Sequence, residues 1–196
     1  MDYSLYQAIN GLAGHSASAD GVFRAAATYL PVVAISFVAL LFLFPWQNRR
    51  LARRTGAVSG TAAAALALLI SQPLAHAVHR MRPYLAHPAH AHLLITRSHD
   101  PSFPSDHAVG AFAIAIAVWF YDRTAGAVLL SLALLLALAR VLVGTHYPGD
   151  VAGGALIGIL FGVGVYWPPV RHFLGRVTEV CSSVWDRISR PLTPTP

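Results

Sequence analysis

Three short clusters hold the residues able to do chemistry: Arg82-Pro83, then Pro104-Ser105-Asp106-His107, then Arg140 followed after five residues by His146 and after three more by Asp150. Together they are the side chains that metal-free phosphoryl transfer needs. Two guanidiniums, Arg82 and Arg140, can grip non-bridging phosphate oxygens in bidentate fashion and neutralise the charge of the transition state. Ser105 and the amides after it open a helix, an end suited to an anion. One neutral imidazole can attack phosphorus while a carboxylate orients its other nitrogen, and a second, protonated imidazole can keep charge from building on the leaving oxygen. His146 with Asp150 fits the first role and His107 the second. Plainer readings exist: Arg82 as a boundary anchor, Ser105 as a helix N-cap, His146 and Asp150 as a structural pair. Arg140 resists one, since a guanidinium at the end of an apolar helix needs an anionic partner, and the plain readings would have to coincide at one membrane face.

The elements that carry these clusters follow from an apolar composition. Of 196 residues 56% are hydrophobic and 11% charged, against roughly 25% charged in soluble domains, and the mean hydropathy is +0.56. A disordered regulator and a soluble secreted domain are excluded. All 14 basic residues are Arg, and the single cysteine, Cys181, allows no intrachain disulfide or multi-cysteine zinc site. Uncharged runs of ~20 residues cross a ~30 Å hydrocarbon core. They predict an all-α integral membrane bundle of about five spans, at about 26–46, 57–77, 106–121, 124–143 and 148–167. The third and fourth are antiparallel neighbours, because only four residues part them. The fifth opens at Pro148 and is glycine-rich enough to pack closely. Ser4 to Gly11 reads as an interfacial amphipathic helix, and no signal peptide is expected. Residues 1–170 form one membrane-embedded domain. Residues 171–196 read as a cytoplasmic tail with room for a second interfacial helix, ending in a disordered Pro-rich segment.

Arginine placement predicts orientation. Arg49, Arg50, Arg53, Arg54, Arg123, Arg171, Arg176, Arg187 and Arg190 all fall on one side of a five-span chain, which the positive-inside rule makes the cytoplasm. The N-terminus, residues 78–105 and the 144–148 turn then face the periplasm or exterior, as do the three clusters. The net charge of +6, scattered between apolar spans, reads as topology and contact with anionic membrane lipids, not nucleic-acid binding.

In order and spacing the clusters resemble the type 2 phosphatidic acid phosphatase superfamily, whose signatures are Lys-x6-Arg-Pro, Pro-Ser-Gly-His and Ser-Arg-x5-His-x3-Asp. Within it, RPYLAHPAHAHLLITRSHDPSFPSDHAVGAFAIAIAV and the opening YSLYQAINGLAGHS are similar to undecaprenyl pyrophosphate phosphatases of the bacitracin-resistance type. That resemblance implies hydrolysis of undecaprenyl pyrophosphate to undecaprenyl phosphate and inorganic phosphate on the outer face of the bacterial cytoplasmic membrane, recycling the cell-wall lipid carrier without metal or other cofactor. It also implies His146 as the nucleophile forming a phosphohistidine, Asp150 as its orienter, His107 as general acid, and Arg82, Ser105 and Arg140, with Asp106 beside them, at the phosphate.

Three positions depart from the broad signatures: Ala75 stands for Lys, Asp106 for Gly and Ala139 for Ser. The bacitracin-resistance subgroup is similar in the first two. Arg80, Arg97 and His79 are candidates for the missing cation. Two competing readings are a broader lipid phosphatase acting on phosphatidic acid or phosphatidylglycerol phosphate, and a metal-binding protein using His76, His79, His87, His90, His92 and His99. Against the latter, the spans lack acidic or His ligands at mid-membrane depth.

Overall fold

The computed structural model describes residues 1–45 and 49–189. Residue 46, Arg190 and the Pro-rich end at 191–196, which figure in the expectations above, lie outside the described residues. The chain forms eight helices among the described residues: α1 (Asp2–Asn10), α2 (Ala17–Leu43), α3 (Arg50–Val78), the single turn α4 (Pro83–Ala86), α5 (Asp106–Trp119), α6 (Arg123–Leu142), α7 (Pro148–Gly164) and α8 (Pro168–Ile188).

The five expected apolar helices are present as α2, α3, α5, α6 and α7. Three of them, α2, α3 and α6, are long and apolar enough to cross a membrane. At 14 and 17 residues α5 and α7 are shorter, and α7 meets α8 at a 77° bend. Short as it is, α5 is central: it packs on α3, α6 and α7 and buries Ala108, Val109, Phe112, Ala113, Ala115, Ala117 and Val118. The first span starts at Ala17, earlier than expected, because the Ser16 hydroxyl accepts from the Ala19 amide and caps a helix that carries Asp20 and Arg24 in its opening turns.

Small residues set the spacing of the core. Gly154, Gly158 and Gly162 form a stripe along α7, and a Cβ at Gly158 would stand 2.4 Å from the Val109 carbonyl oxygen of α5. The backbones approach closely enough that only glycine fits. Gly158→Leu is therefore expected to overpack the α5–α7 contact by about 1–3 kcal/mol or more, read as a fall in the detergent-solubilised melting temperature. An unchanged melting temperature would contradict this packing.

The two ends of the bundle are tied differently. At one, Asp122 caps α6 through the Ala125 amide and accepts from Arg53 Nε at 2.7 Å. Fully buried Arg54 donates to the Phe42 carbonyl at 2.9 Å and pairs with Asp186 of α8 at 2.9 Å. The segment expected as a tail is thus a docked helix, with Leu174 and Thr178 buried. At the other end α1 is more than a surface helix. Tyr6 and Asn10 are buried, and Asn10 donates to the His92 and Leu142 carbonyls at 2.9 Å while accepting from the His92 amide at 2.8 Å. This clamps the 87–105 segment onto the end of α6, two residues beyond Arg140.

Candidate active site

The three clusters meet at that clamped end. Arg82 and Pro83 start α4 after α3 has ended at His79, whose left-handed backbone (φ 48°) turns the chain. Ser105 precedes α5, Arg140 lies in the last turn of α6, and His146 precedes α7. Arg82, Arg140, His107 and His146 line a cavity of about 210 Å³, together with Gln72, Ala75, His76, Ser98, Asp100, Pro101, Pro104 and Asp106.

His146 is the most tightly specified of these residues. Its ring is buried, and Nδ1 lies 2.8 Å from the Ser102 carbonyl oxygen. A carbonyl only accepts, so Nδ1 carries the proton and Nε2 the lone pair. Nε2 lies 3.3 Å from a terminal guanidinium nitrogen of Arg82. Burial first, then the positive charges of Arg140 and Arg82, hold the His146 pKa well below the ordinary imidazole value. The ring stays neutral where a free histidine would protonate. Because the unfolded chain takes up a proton that the folded chain refuses, this residue's contribution to stability is lost as pH falls below about 6.5. A nitrogen-15 NMR titration should find His146 still neutral, protonated on Nδ1, at pH 6; an imidazolium at that pH would contradict the assignment.

Asp150 differs from its expected part. Its Oδ2 lies 3.9 Å from His146 Nδ1, too far for a hydrogen bond, because the carboxylate is already engaged. Oδ2 accepts from the Ser102 hydroxyl at 2.5 Å and the Tyr147 amide at 2.8 Å, and Oδ1 accepts from Arg80 at 2.8 Å. The direct orienter of His146 is the Ser102 backbone, and Asp150 holds Ser102. Arg80 extends the chain of contacts to Asp2 of α1 at 2.5 Å and lies over the Tyr147 ring, 4.1 Å from its centroid. Asp2 also accepts from the Gly149 amide at 2.8 Å. Helix α1, α7 and the turn that carries His146 are braced as one unit.

The cations are held differently from one another. Arg82 Nε donates to the Asp100 carbonyl at 2.8 Å and a terminal nitrogen donates to the Thr145 carbonyl at 3.3 Å, which fixes the plane of its fork. Arg140 is buried, and its Nε has no hydrogen-bond partner among the described residues. Ser105 is fully buried and its hydroxyl is likewise unpartnered. It occupies the N-cap position of α5 without a side-chain capping bond, so the plain capping reading fails, although Ser105 does not line the cavity. Two buried polar groups without partners cost roughly 1–3 kcal/mol each, the pattern of a site built for a polar ligand. Asp106, expected beside the phosphate, turns its carboxylate to Ser71 Oγ and Gln72 Nε2 of α3 at 3.3 Å.

Reasoning from spacing gives Ser102 and Gln72 no role and counts His76 only among the possible metal-binding histidines. Ser102 acts through a backbone carbonyl, which leaves no signal in side-chain type. The candidates for the missing cation at Ala75 also change. Arg80 is committed to Asp150 and Asp2, His79 Nδ1 donates to the His76 carbonyl at 2.9 Å, and neither they nor Arg97 line the cavity, whereas His76 does. The outer histidines are dispersed, as in the stacking of His87 on Tyr3 at 3.9 Å between centroids. Among the described residues no three His, Cys, Asp or Glu side chains are gathered as a metal site.

A second, apolar cavity of about 1120 Å³ runs between α2, α3, α5 and α8. Pro31, Val38 and Phe42 of α2, Thr61 and Leu68 of α3, Gly110 and Ile114 of α5, and Phe173 of α8 line it. Asp106 and His107 belong to the walls of both cavities. A polar chamber and an apolar groove therefore adjoin at the first turn of α5.

Comparison with known proteins agrees with this arrangement. The chain is 33% identical, over 98% of its own length and 98% of the relative's, to the undecaprenyl-diphosphatase BcrC of Bacillus subtilis. The crystal structure of Aquifex aeolicus LpxE superposes with a TM-score of 0.65 at 29% identity, covering 82% of this chain and 92% of that one. A transmembrane PAP2 type phosphatidylglycerolphosphate phosphatase from Bacillus subtilis, 16% identical, shares the fold with a TM-score of 0.60 over 97% of this chain and 89% of that one. Residues 56–173, which carry all three clusters, match the PAP2 superfamily, and the chain is a multi-pass membrane protein that belongs to that superfamily.

Proposed function

We propose that the protein hydrolyses a polyprenyl diphosphate, undecaprenyl diphosphate in the cell, to the lipid monophosphate and inorganic phosphate. The observation that carries this reading is the junction of the two cavities at Asp106 and His107, which fits an anionic head joined to a long apolar chain. The likeness to undecaprenyl-diphosphatase BcrC over almost the whole length supports it.

In this mechanism Arg82 and Arg140 hold the terminal phosphate, with Ser105 behind them. The lone pair on His146 Nε2 attacks the terminal phosphorus, the bond to the bridging oxygen breaks, and its electron pair leaves with the lipid phosphate. The His146 Nδ1 keeps its proton and donates it in a hydrogen bond to the Ser102 carbonyl, so the phosphohistidine is cationic at the ring and a good leaving group. Water then attacks phosphorus, its proton passes to His107, and the N–P electron pair returns to His146. A lipid phosphate departs with little protonation. A monoester would release an alkoxide, for which a proton from His107 is worth ~10² to 10⁴-fold. His107→Gln should accordingly reduce monoester hydrolysis more than diphosphate hydrolysis.

The test of the function is the purified protein on prenyl diphosphate and on phosphatidic acid, each with and without chelator. The reading expects turnover preferring the diphosphate and indifferent to chelator, because guanidiniums supply the charge stabilisation that metals give elsewhere. Preference for phosphatidic acid would favour the broader lipid phosphatase. Chelator-sensitive turnover restored by added metal would overturn the cofactor-free mechanism.

The site faces the outside of the cytoplasmic membrane in this proposal, from arginine placement. Cys181 is exposed on α8 and should react with a membrane-impermeant maleimide only after permeabilisation. With Cys181 replaced by Ser, Ala91→Cys should react in intact cells. The reverse pattern would invert the topology.

A further inference from the structure

The rim of the 210 Å³ cavity carries polar side chains, Gln72 and His76, that the superfamily signatures do not describe. Arg82, Arg140 and His146 converge on one phosphate. On the α3 side the wall is formed by Gln72, Ala75 and His76, in the stretch where the broad signature has Lys and this chain has Ala75.

His76 is fixed for a ligand. Its Nδ1 donates to the Gln72 carbonyl at 2.8 Å, which leaves Nε2 for the cavity. Gln72 is tied in turn: its Nε2 donates to both Asp106 carboxylate oxygens, at 3.4 and 3.3 Å. The rim therefore joins α3 to the first turn of α5, where His107 and the mouth of the apolar groove lie. A lipid chain leaving through that groove carries its own phosphate past this rim, while the terminal phosphate sits with Arg82 and Arg140.

We propose that His76, held by Gln72, binds the lipid-side phosphate of a diphosphate and makes the site prefer diphosphates over monophosphates. The inference rests on the phosphatase reading above. As an imidazolium, with its Nδ1–H on the Gln72 carbonyl, His76 donates from Nε2–H to a phosphate oxygen that a monophosphate substrate, whose single phosphate occupies the arginine pair, does not present. His76 is exposed and the variants leave the helix backbone bonds of α3 in place.

The experiment measures kcat/KM for prenyl diphosphate and prenyl monophosphate in wild type, His76→Ala and His76→Arg, with inorganic pyrophosphate and inorganic phosphate as competing inhibitors. His76→Ala should lower the diphosphate to monophosphate ratio about tenfold or more, the worth of one charge-assisted hydrogen bond, and weaken inhibition by pyrophosphate more than by phosphate. His76→Arg should restore the ratio. An unchanged ratio in His76→Ala, or equal losses on both substrates not restored by Arg, would overturn the assignment. Failure of the underlying reading looks different: wild type itself would then show no preference for the diphosphate.

Discussion

Replacing His146 with alanine is expected to lower kcat by at least ~10⁴-fold, the scale seen when a nucleophile that works as part of a unit is removed. The geometry leaves no substitute. Only His146 has its Nδ1 locked by a carbonyl, from Ser102 at 2.8 Å, with Nε2 beside the Arg82 fork at 3.3 Å. The other imidazoles on the cavity wall, His107 and His76, stand on α5 and α3, not on the turn that Asp150, Ser102 and Arg80 brace. Binding should survive, since Arg82 and Arg140 remain, so KM changes far less than kcat. Steady-state kinetics with a melting curve on the same sample separates lost chemistry from lost folding. A folded His146→Ala protein with kcat within tenfold of wild type would remove His146 from the reaction.

Arg140 carries the second large effect, and it has two opposite parts. Its Nε is buried without a hydrogen-bond partner among the described residues, so the folded protein bears a cost that a phosphate would relieve. Arg140→Leu should reduce kcat/KM by ~10²- to 10³-fold, as for removal of a preorganised donor to a developing anion. In the absence of phosphate the same variant should melt no lower than wild type, because it removes a poorly compensated buried charge. Arg140→Lys should stay impaired, an ammonium being unable to reproduce the planar fork. A large drop in melting temperature for Arg140→Leu would instead mark Arg140 as structural.

Much of this site is legible in the chain because its parts lie at short, regular separations. Arg140, His146 and Asp150 bracket one turn between two apolar helices, and Pro104 to His107 opens another, so the spans alone bring them to one membrane face. The glycines of α7 likewise foretell the close contact with α5 that Gly158 makes. What spacing could not disclose depends on partners distant in sequence or on the backbone. The Ser102 carbonyl has no residue-type signature, and the Asp150 oxygen nearest His146 is taken by the Ser102 hydroxyl, 48 residues away, and by the Tyr147 amide. His76 looked like one of a scattered set of outer histidines, and only the packing of α3 on α5 separates it from His79. Helix α5 is enclosed by three neighbours, a fact of tertiary packing that hydropathy along the chain does not encode.

The stereochemical course at phosphorus tests the central claim most directly. A prenyl diphosphate whose terminal group is a chiral thiophosphate, hydrolysed in isotopically labelled water, yields inorganic thiophosphate whose configuration can be read. Attack by His146 followed by attack of water makes two inversions, so net retention is predicted. Net inversion would mean that water attacks the substrate directly and that no phosphohistidine forms.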